Sequence, residues 1–227
     1  MLIVAGTLLI LVPAVKTYIN TKRNNDVIDE FLKQSEDALS SIEDEDVEAF
    51  YIPPELSGNT EASPTIAPTP ETTQEDEAED SPVPVEKKRM SKEEMLRRTT
   101  GILIIPKIDV KMLIMDGVDE ETLRVAVGRL LYTDNFDEVG NCVLAGHRSY
   151  TFGKYLNRLN ELEPGDKITV RTKDKTLNYT IYETKIIEPD DFSIIEKNGT
   201  DKILTVFTCH PPGVGSHRLV VQAKQDE

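Results

Sequence analysis

Cysteine and histidine are scarce in this chain of 227 residues, which holds two of the first and three of the second. Two thiols cannot build the disulfide framework that staples small exported domains, and residues 101–227 form a segment large enough to be held by its own core without a bridge. Cys142 and Cys209 are therefore read as free, with Cys142 a small apolar filler in a strand-like run. No Gly-rich phosphate loop and no internal repeat appears, which removes the simplest signs of nucleotide binding and of a solenoid. A basic excess is missing as well. The formal net charge is −15, yet residues 24–86 alone carry −18, residues 1–23 carry +3 and residues 87–227 sum to zero. The acidity thus belongs to a linker, and the folded part has no means of neutralising phosphates, so a nucleic-acid partner is excluded from the reading.

A long hydrophobic run is also lacking. Residues 1–15 are almost wholly apolar and Lys16 is the first charge, but a spanning helix needs about 20 residues. The basic pair Lys22-Arg23 follows the run where an exported domain calls for basic residues before it, and no small-residue cleavage site stands out. The reading adopted is an uncleaved amino-terminal membrane anchor over residues 1–23, in a sequence that begins at an internal Met and lacks part of the helix. Residues 24–52 are acidic and loosely helical in their apolar spacing, a marginal helix in isolation that suits a stalk. Residues 53–86 are rich in Pro, Thr, Ser and Glu and cannot bury enough surface to offset ordering, so a disordered linker is expected there. Residues 87–100 are helix-prone.

From residue 101 the pattern changes to short β-branched runs between turn signals. Strands are expected over residues 101–108, 110–114, 141–145, 167–171, 177–187, 203–208 and 219–223, with short helical pieces over 119–127 and 155–162. Many short strands with few helices give a mainly β fold, a closed or nearly closed β-barrel.

The chemistry gathers at strand ends. Leu204-Thr205-Val206-Phe207-Thr208-Cys209 ends on a thiol, Pro211-Pro212-Gly213 and Gly215 form a loop, and Arg218 opens the next strand. Cys209 and Arg218 thereby face each other across a hairpin mouth. A cysteine attacks as its thiolate, and a permanently charged planar donor stabilises charge developing on a carbonyl oxygen. Spacing alone leaves open whether Cys209 is a nucleophile or an inert thiol beside a solvated arginine. Among the histidines, His210 adjoins Cys209 and must point to the opposite side, and His217 must point away from wherever Arg218 points. His147, at a separate strand end after Gly146, is the better candidate base.

With Gly146-His147 after an apolar strand, Thr205-Val206-Phe207-Thr208-Cys209 and Arg218 in order, residues 101–224 resemble the sortases, the membrane-anchored cysteine transpeptidases of Gram-positive bacteria. The usual motif has Leu where Val206 stands. The resemblance implies a sortase-type β-barrel, Cys209 as nucleophile, His147 as general acid and base, Arg218 as oxyanion and substrate ligand, and Thr208 lining the site. It further implies cleavage of a Leu-Pro-x-Thr-Gly-like (LPxTG-like) carboxyl-terminal sorting signal after Thr, transfer to a cell-wall amine such as lipid II, and an extracellular catalytic domain on a single anchor. The lid and carboxyl-terminal membrane segment of pilin-polymerising sortases are not visible in the sequence, so class D is favoured, with A and E as alternatives. No cofactor is implied. Glu161, Glu163, Asp190 and Asp191 are the loop acids a calcium ion would draw on, and they are read as solvated charge with no metal. The competing functional readings are a catalytically silent, membrane-tethered peptide-binding barrel and a thiol hydrolase without transpeptidation.

Overall fold

The computed structural model describes residues 2–43, 89–148, 155–197 and 199–226, with backbone only at 2–14, 16, 17 and 38–43. The expected linker over 53–86 lies outside the described residues, as do the end of the acidic stalk and most side chains of the expected anchor. Among the described residues no helix is long and apolar enough to cross a membrane.

Eight strands form one closed barrel: β1 (Thr99–Ile105), β2 (Val110–Asp116), β3 (Ala126–Arg129), β4 (Gly140–Ala145), β5 (Lys167–Arg171), β6 (Thr176–Ile187), β7 (Lys202–His210) and β8 (His217–Gln225). Around the barrel the order is β1-β2-β3-β4-β7-β8-β6-β5, with β5 returning to β1. Neighbours are antiparallel except β2 with β3 and β4 with β7. Alternation fills the interior: Cys142 and Leu144 of β4, Leu204 and Val206 of β7, and Leu219, Val221 and Ala223 of β8 meet Ile168, Val170, Tyr179 and Ile181 in the main core. Leu156 and Leu159, from the turn after residue 154, belong to the same core.

The mainly β barrel read from the sequence is the fold observed. One strand was hidden. Residues 119–127 read as a helix, but the helix α3 covers only Glu120–Leu123, capped by the Asp119 carboxylate accepting from Thr122 N at 2.9 Å. Ala126 then enters β3, between β2 and β4. A four-residue strand paired on both sides is fixed by tertiary contacts rather than by its own propensity.

Helix α1 (Leu2–Glu43) runs unbroken across the boundary expected at residue 23. Val27, Ile28 and Phe31 form one stripe on it and are buried against Met90 and Met95, before and within helix α2 (Lys92–Arg98), and against Ile102, Leu113, Met115 and Ala126 of the barrel. Asn24 Nδ2 donates to Val125 O at 3.1 Å, and Lys92 pairs with Glu30 at 2.8 Å. Burial of this stripe supplies the stability that a like-charged helix lacks alone. Helix α2 (Lys92–Arg98) is capped by Ser91, whose hydroxyl accepts from Glu94 N.

Candidate active site

Strand parity decides which side chains share a face. On β4, β7 and β8, the residues that alternate with the core positions point outward: Val143 and Ala145, Thr205, Phe207 and Cys209, and Arg218, Val220 and Gln222. Cys209 and Arg218 are direct partners in the β7–β8 register, and His210 pairs with His217 on the opposite face. The parallel β4–β7 ladder ends at Ala145 with Phe207, and Gly146 N continues it by donating to Phe207 O at 3.1 Å. Counting two residues onward brings His147 level with Cys209, and three brings Arg148 level with His210. Cys209 and Arg218 thus form an outer row at the ends of β7 and β8, with His147 two residues past the end of β4.

Each member is held by identifiable contacts. Arg218 Nη1 donates to Gly215 O and to His217 O, both at 2.9 Å. Gly215 adopts φ +67°, and a Cβ there would lie 3.8 Å from Cys209 Sγ, so the turn passes close beside a half-exposed thiol. His147 is exposed, and its ring meets Tyr155 edge-on with centroids 6.2 Å apart. Tyr155 is itself tied down by its hydroxyl donating to Arg124 O at 3.1 Å. Gly146 is required by packing: a Cβ would come within 2.7 Å of Leu156 Cδ1 and 3.0 Å of Val127 Cγ1. No hydrogen bond joins His147 to Cys209 among the described residues. Cys-His pairs of this kind often tighten only when substrate is present.

Thr208 stands on the inner face and is 1% exposed. Its hydroxyl donates to Gly146 O at 2.7 Å. The position expected to line the site thus acts, on this geometry, as a tie between the strand that carries Cys209 and the loop that carries His147. The other thiol, Cys142, is buried in the main core, and burial pushes it up to about 12. That leaves it unionised and unreactive near neutral pH.

Two residues passed over in the sequence reading are prominent here. Arg148 Nη1 lies 2.6 Å from His210 Nδ1 and donates to Cys209 O at 3.5 Å, while Nη2 donates to Asn160 Oδ1 at 2.7 Å. His210, set aside as a partner for the thiol, is instead the partner of this arginine. The only sequence signal is that His147-Arg148, Cys209-His210 and His217-Arg218 are each dipeptides of chemistry-bearing residues.

Three of the four acidic loop residues have partners of their own. Glu161 pairs with Arg158 at 2.7 Å, Glu163 lies 3.4 Å from Lys107 Nζ, and Asp191 caps Ser193 N. Among the described residues no group of three or more His, Cys, Asp or Glu side chains could hold a metal ion.

Residues 103–226 match the sortase domain family. The chain belongs to the sortase family. It is 35% identical to Sortase D of Bacillus subtilis over 133 residues, which is 56% of this chain and 64% of the relative. It is 33% identical to Sortase SrtE1 of Streptomyces coelicolor, with 56% of this chain and 40% of that one covered. The match thus spans less than two thirds of these curated sortases. Among solved structures it is similar to sortase C-1 from Actinomyces oris, at TM-score 0.53 and 30% identity over 57% of this chain and 75% of that one. A Clostridium perfringens Sortase D5 transpeptidase is similar at TM-score 0.52 and 28% identity, over 57% of this chain and 79% of that chain. The likeness to Sortase D of Bacillus subtilis is consistent with the class D favoured from the sequence.

Proposed function

We propose that this sortase is a cysteine transpeptidase that cleaves an LPxTG-like carboxyl-terminal sorting signal after Thr and passes the acyl group to a cell-wall amine. The observation that supports this most is the pairing of Cys209 with Arg218 in register, on the face where the parallel count also brings His147 level. The Cys209 thiolate bonds to the Thr carbonyl carbon, and the oxygen takes up negative charge beside the Arg218 guanidinium. The C–N bond to the following residue then breaks. Its electron pair stays on nitrogen, which takes a proton from the His147 imidazolium, and a Cys209 thioester remains. An incoming amine attacks that thioester, gives its proton to the now neutral His147 and releases the thiolate. Ala145 and Phe207, two residues earlier on the same face, form the apolar floor along which the signal peptide lies.

Lipid II is the acceptor proposed, and the amino-terminal segment is proposed as the single anchor that keeps the catalytic barrel outside the membrane. The test is product analysis with the full chain and a panel of sorting-signal peptides, with and without an amine acceptor. A new amide formed only when amine is present is the expected result. Cleavage to the free acid unaffected by amine indicates a thiol hydrolase, and binding without cleavage indicates a silent barrel; either outcome overturns the proposal.

A further inference from the structure

Behind the outer row, on the inner face at the barrel mouth, the same strand ends carry a second row: Arg148, His210 and His217. Arg148 contributes only donors. Its contact at 2.6 Å with His210 Nδ1 therefore requires that nitrogen to accept, which leaves His210 neutral with its proton on Nε2. The same Nη1 donates to the carbonyl of Cys209 itself. Arg148 Nε is buried without a partner, so the side chain is committed to this path across the strands rather than turned toward solvent. The groups that face His210 are Arg148 from the β4 loop and His217 from β8. His217 is in turn fixed by Glu188 Oε1 at 3.2 Å, just past β6, and by Ser216 Oγ at 2.8 Å.

Resting on the transpeptidase reading, we propose that Arg148 is a positioning residue. Its bonds to His210 and to the Cys209 carbonyl clamp the loop bearing His147 to the strand bearing Cys209, and so set acid-base group and nucleophile relative to each other from behind. Two further hydrogen bonds support the same junction, Gly146 N donating to Phe207 O and the Thr208 hydroxyl donating to Gly146 O. The clamp carries its own acid limit. Burial first, and then the Arg148 and His217 charges, hold His210 below the ordinary histidine value. The accepting lone pair is thus present above about pH 6.5 and is lost as pH falls through the lower folded value, when an N–H at Nδ1 confronts Arg148.

The test has two arms on the full chain. In the first, alkylation of Cys209 by iodoacetamide is followed by mass spectrometry from about pH 4 to 8, comparing His147→Ala made in wild type with His147→Ala made in Arg148→Ala. An imidazolium beside the thiol promotes thiolate, so His147→Ala slows alkylation in wild type and is expected to have little further effect once Arg148 is gone. In the second arm, Arg148→Ala is expected to lower kcat/KM for peptide cleavage by about 10- to 100-fold, chiefly through kcat, as misplacement of reacting groups does. Arg148→Lys recovers part of the loss. His210→Asn, which keeps an acceptor oxygen near the Nδ1 position and cannot titrate, recovers part of what His210→Ala loses and no longer shows the acid limb. An undiminished His147 effect in Arg148→Ala, no His147 effect in wild type, or an acid limb unmoved in His210→Asn overturns the proposal. The alkylation arm needs no peptide, so a wild type with the expected alkylation pattern that cleaves nothing defeats the transpeptidase reading alone.

Discussion

Strands β4, β7 and β8 carry two polar rows on one outward face, and the two behave in opposite ways. In the first, Asn141, Thr205 and Gln222 are all buried. The Thr205 hydroxyl donates to Asn141 Oδ1 at 2.8 Å and accepts from Gln222 Nε2 at 3.1 Å, while Asn141 Nδ2 donates to Ile194 O and Glu196 O. Donors and acceptors are consumed within the row and by the connection that covers it, as burial demands. Four residues farther along β7 and four back along β8 stand Cys209 and Arg218, at the open end where the ladder stops. There the thiol is half-exposed, and among the described residues only Nη1 of the guanidinium is bonded. The contrast between Cys142 and Cys209 teaches the same lesson. Position along a strand decides whether a polar side chain is structure or reagent, because only the end leaves bonding capacity for a substrate.

The largest test of this contrast substitutes each thiol in turn. Cys209→Ala is expected to remove all acyl-enzyme formation with the thermal midpoint nearly unchanged, whereas Cys142→Ser keeps activity at the price of some stability, since it places a hydroxyl in the apolar core. Thermal melting read beside a cleavage assay checks both halves. Next in size is Arg218→Lys, which keeps the charge but loses the planar fork. A fall of about 10²- to 10³-fold in kcat is expected, and a loss confined to KM would mean that Arg218 only binds the ground state.

Glycine at the junction gives a smaller and sharper effect. Gly146→Ala must displace Leu156 or Val127, so a loss of about 1–3 kcal/mol in stability is expected together with reduced activity. Gly215→Val instead puts branched bulk beside the Cys209 sulfur in a left-handed backbone, and it should slow peptide cleavage more than it lowers the melting temperature. Equal effects of these two variants on melting and on activity would dissolve the distinction drawn between packing and access. The smallest expected effect on chemistry comes from Phe31→Ala in α1. It removes a fully buried ring and should cost up to about 3–5 kcal/mol locally, read as faster hydrogen exchange in α1 and α2, with acylation at Cys209 little changed.

Much of this contrast was legible before the structure. β-Branched alternation marks β7 and β8, and the turn residues between them imply that Cys209 faces Arg218. Parity along the chain also separates His210 and His217 from the reactive face. What stayed hidden depends on distant contacts. Strand β3 is four residues long and owes its form to β2 and β4. Arg148 is noticed only once the β4–β7 count brings it level with His210, and a lone arginine after a histidine gives no sign of that. The docked part of α1 reads as a charged, marginal helix because its apolar stripe is narrow, and its partners Met90, Ile102 and Met115 lie far off in sequence. Deleting residues 1–86 uncovers that partner face. A lower melting temperature and a greater tendency to aggregate are expected from the deletion, with the main core intact.

The central claim is that Cys209, and no other residue, carries the acyl group. Intact-mass and peptide-level mass spectrometry of the full chain, quenched in acid after brief exposure to sorting-signal peptides, measures this directly. The account predicts a mass gain equal to the peptide acyl portion ending at Thr, located on Cys209, absent in Cys209→Ala and discharged by added amine. A folded wild-type protein with a free Cys209 thiol and no adduct with any peptide, or an adduct found on another residue, would contradict it.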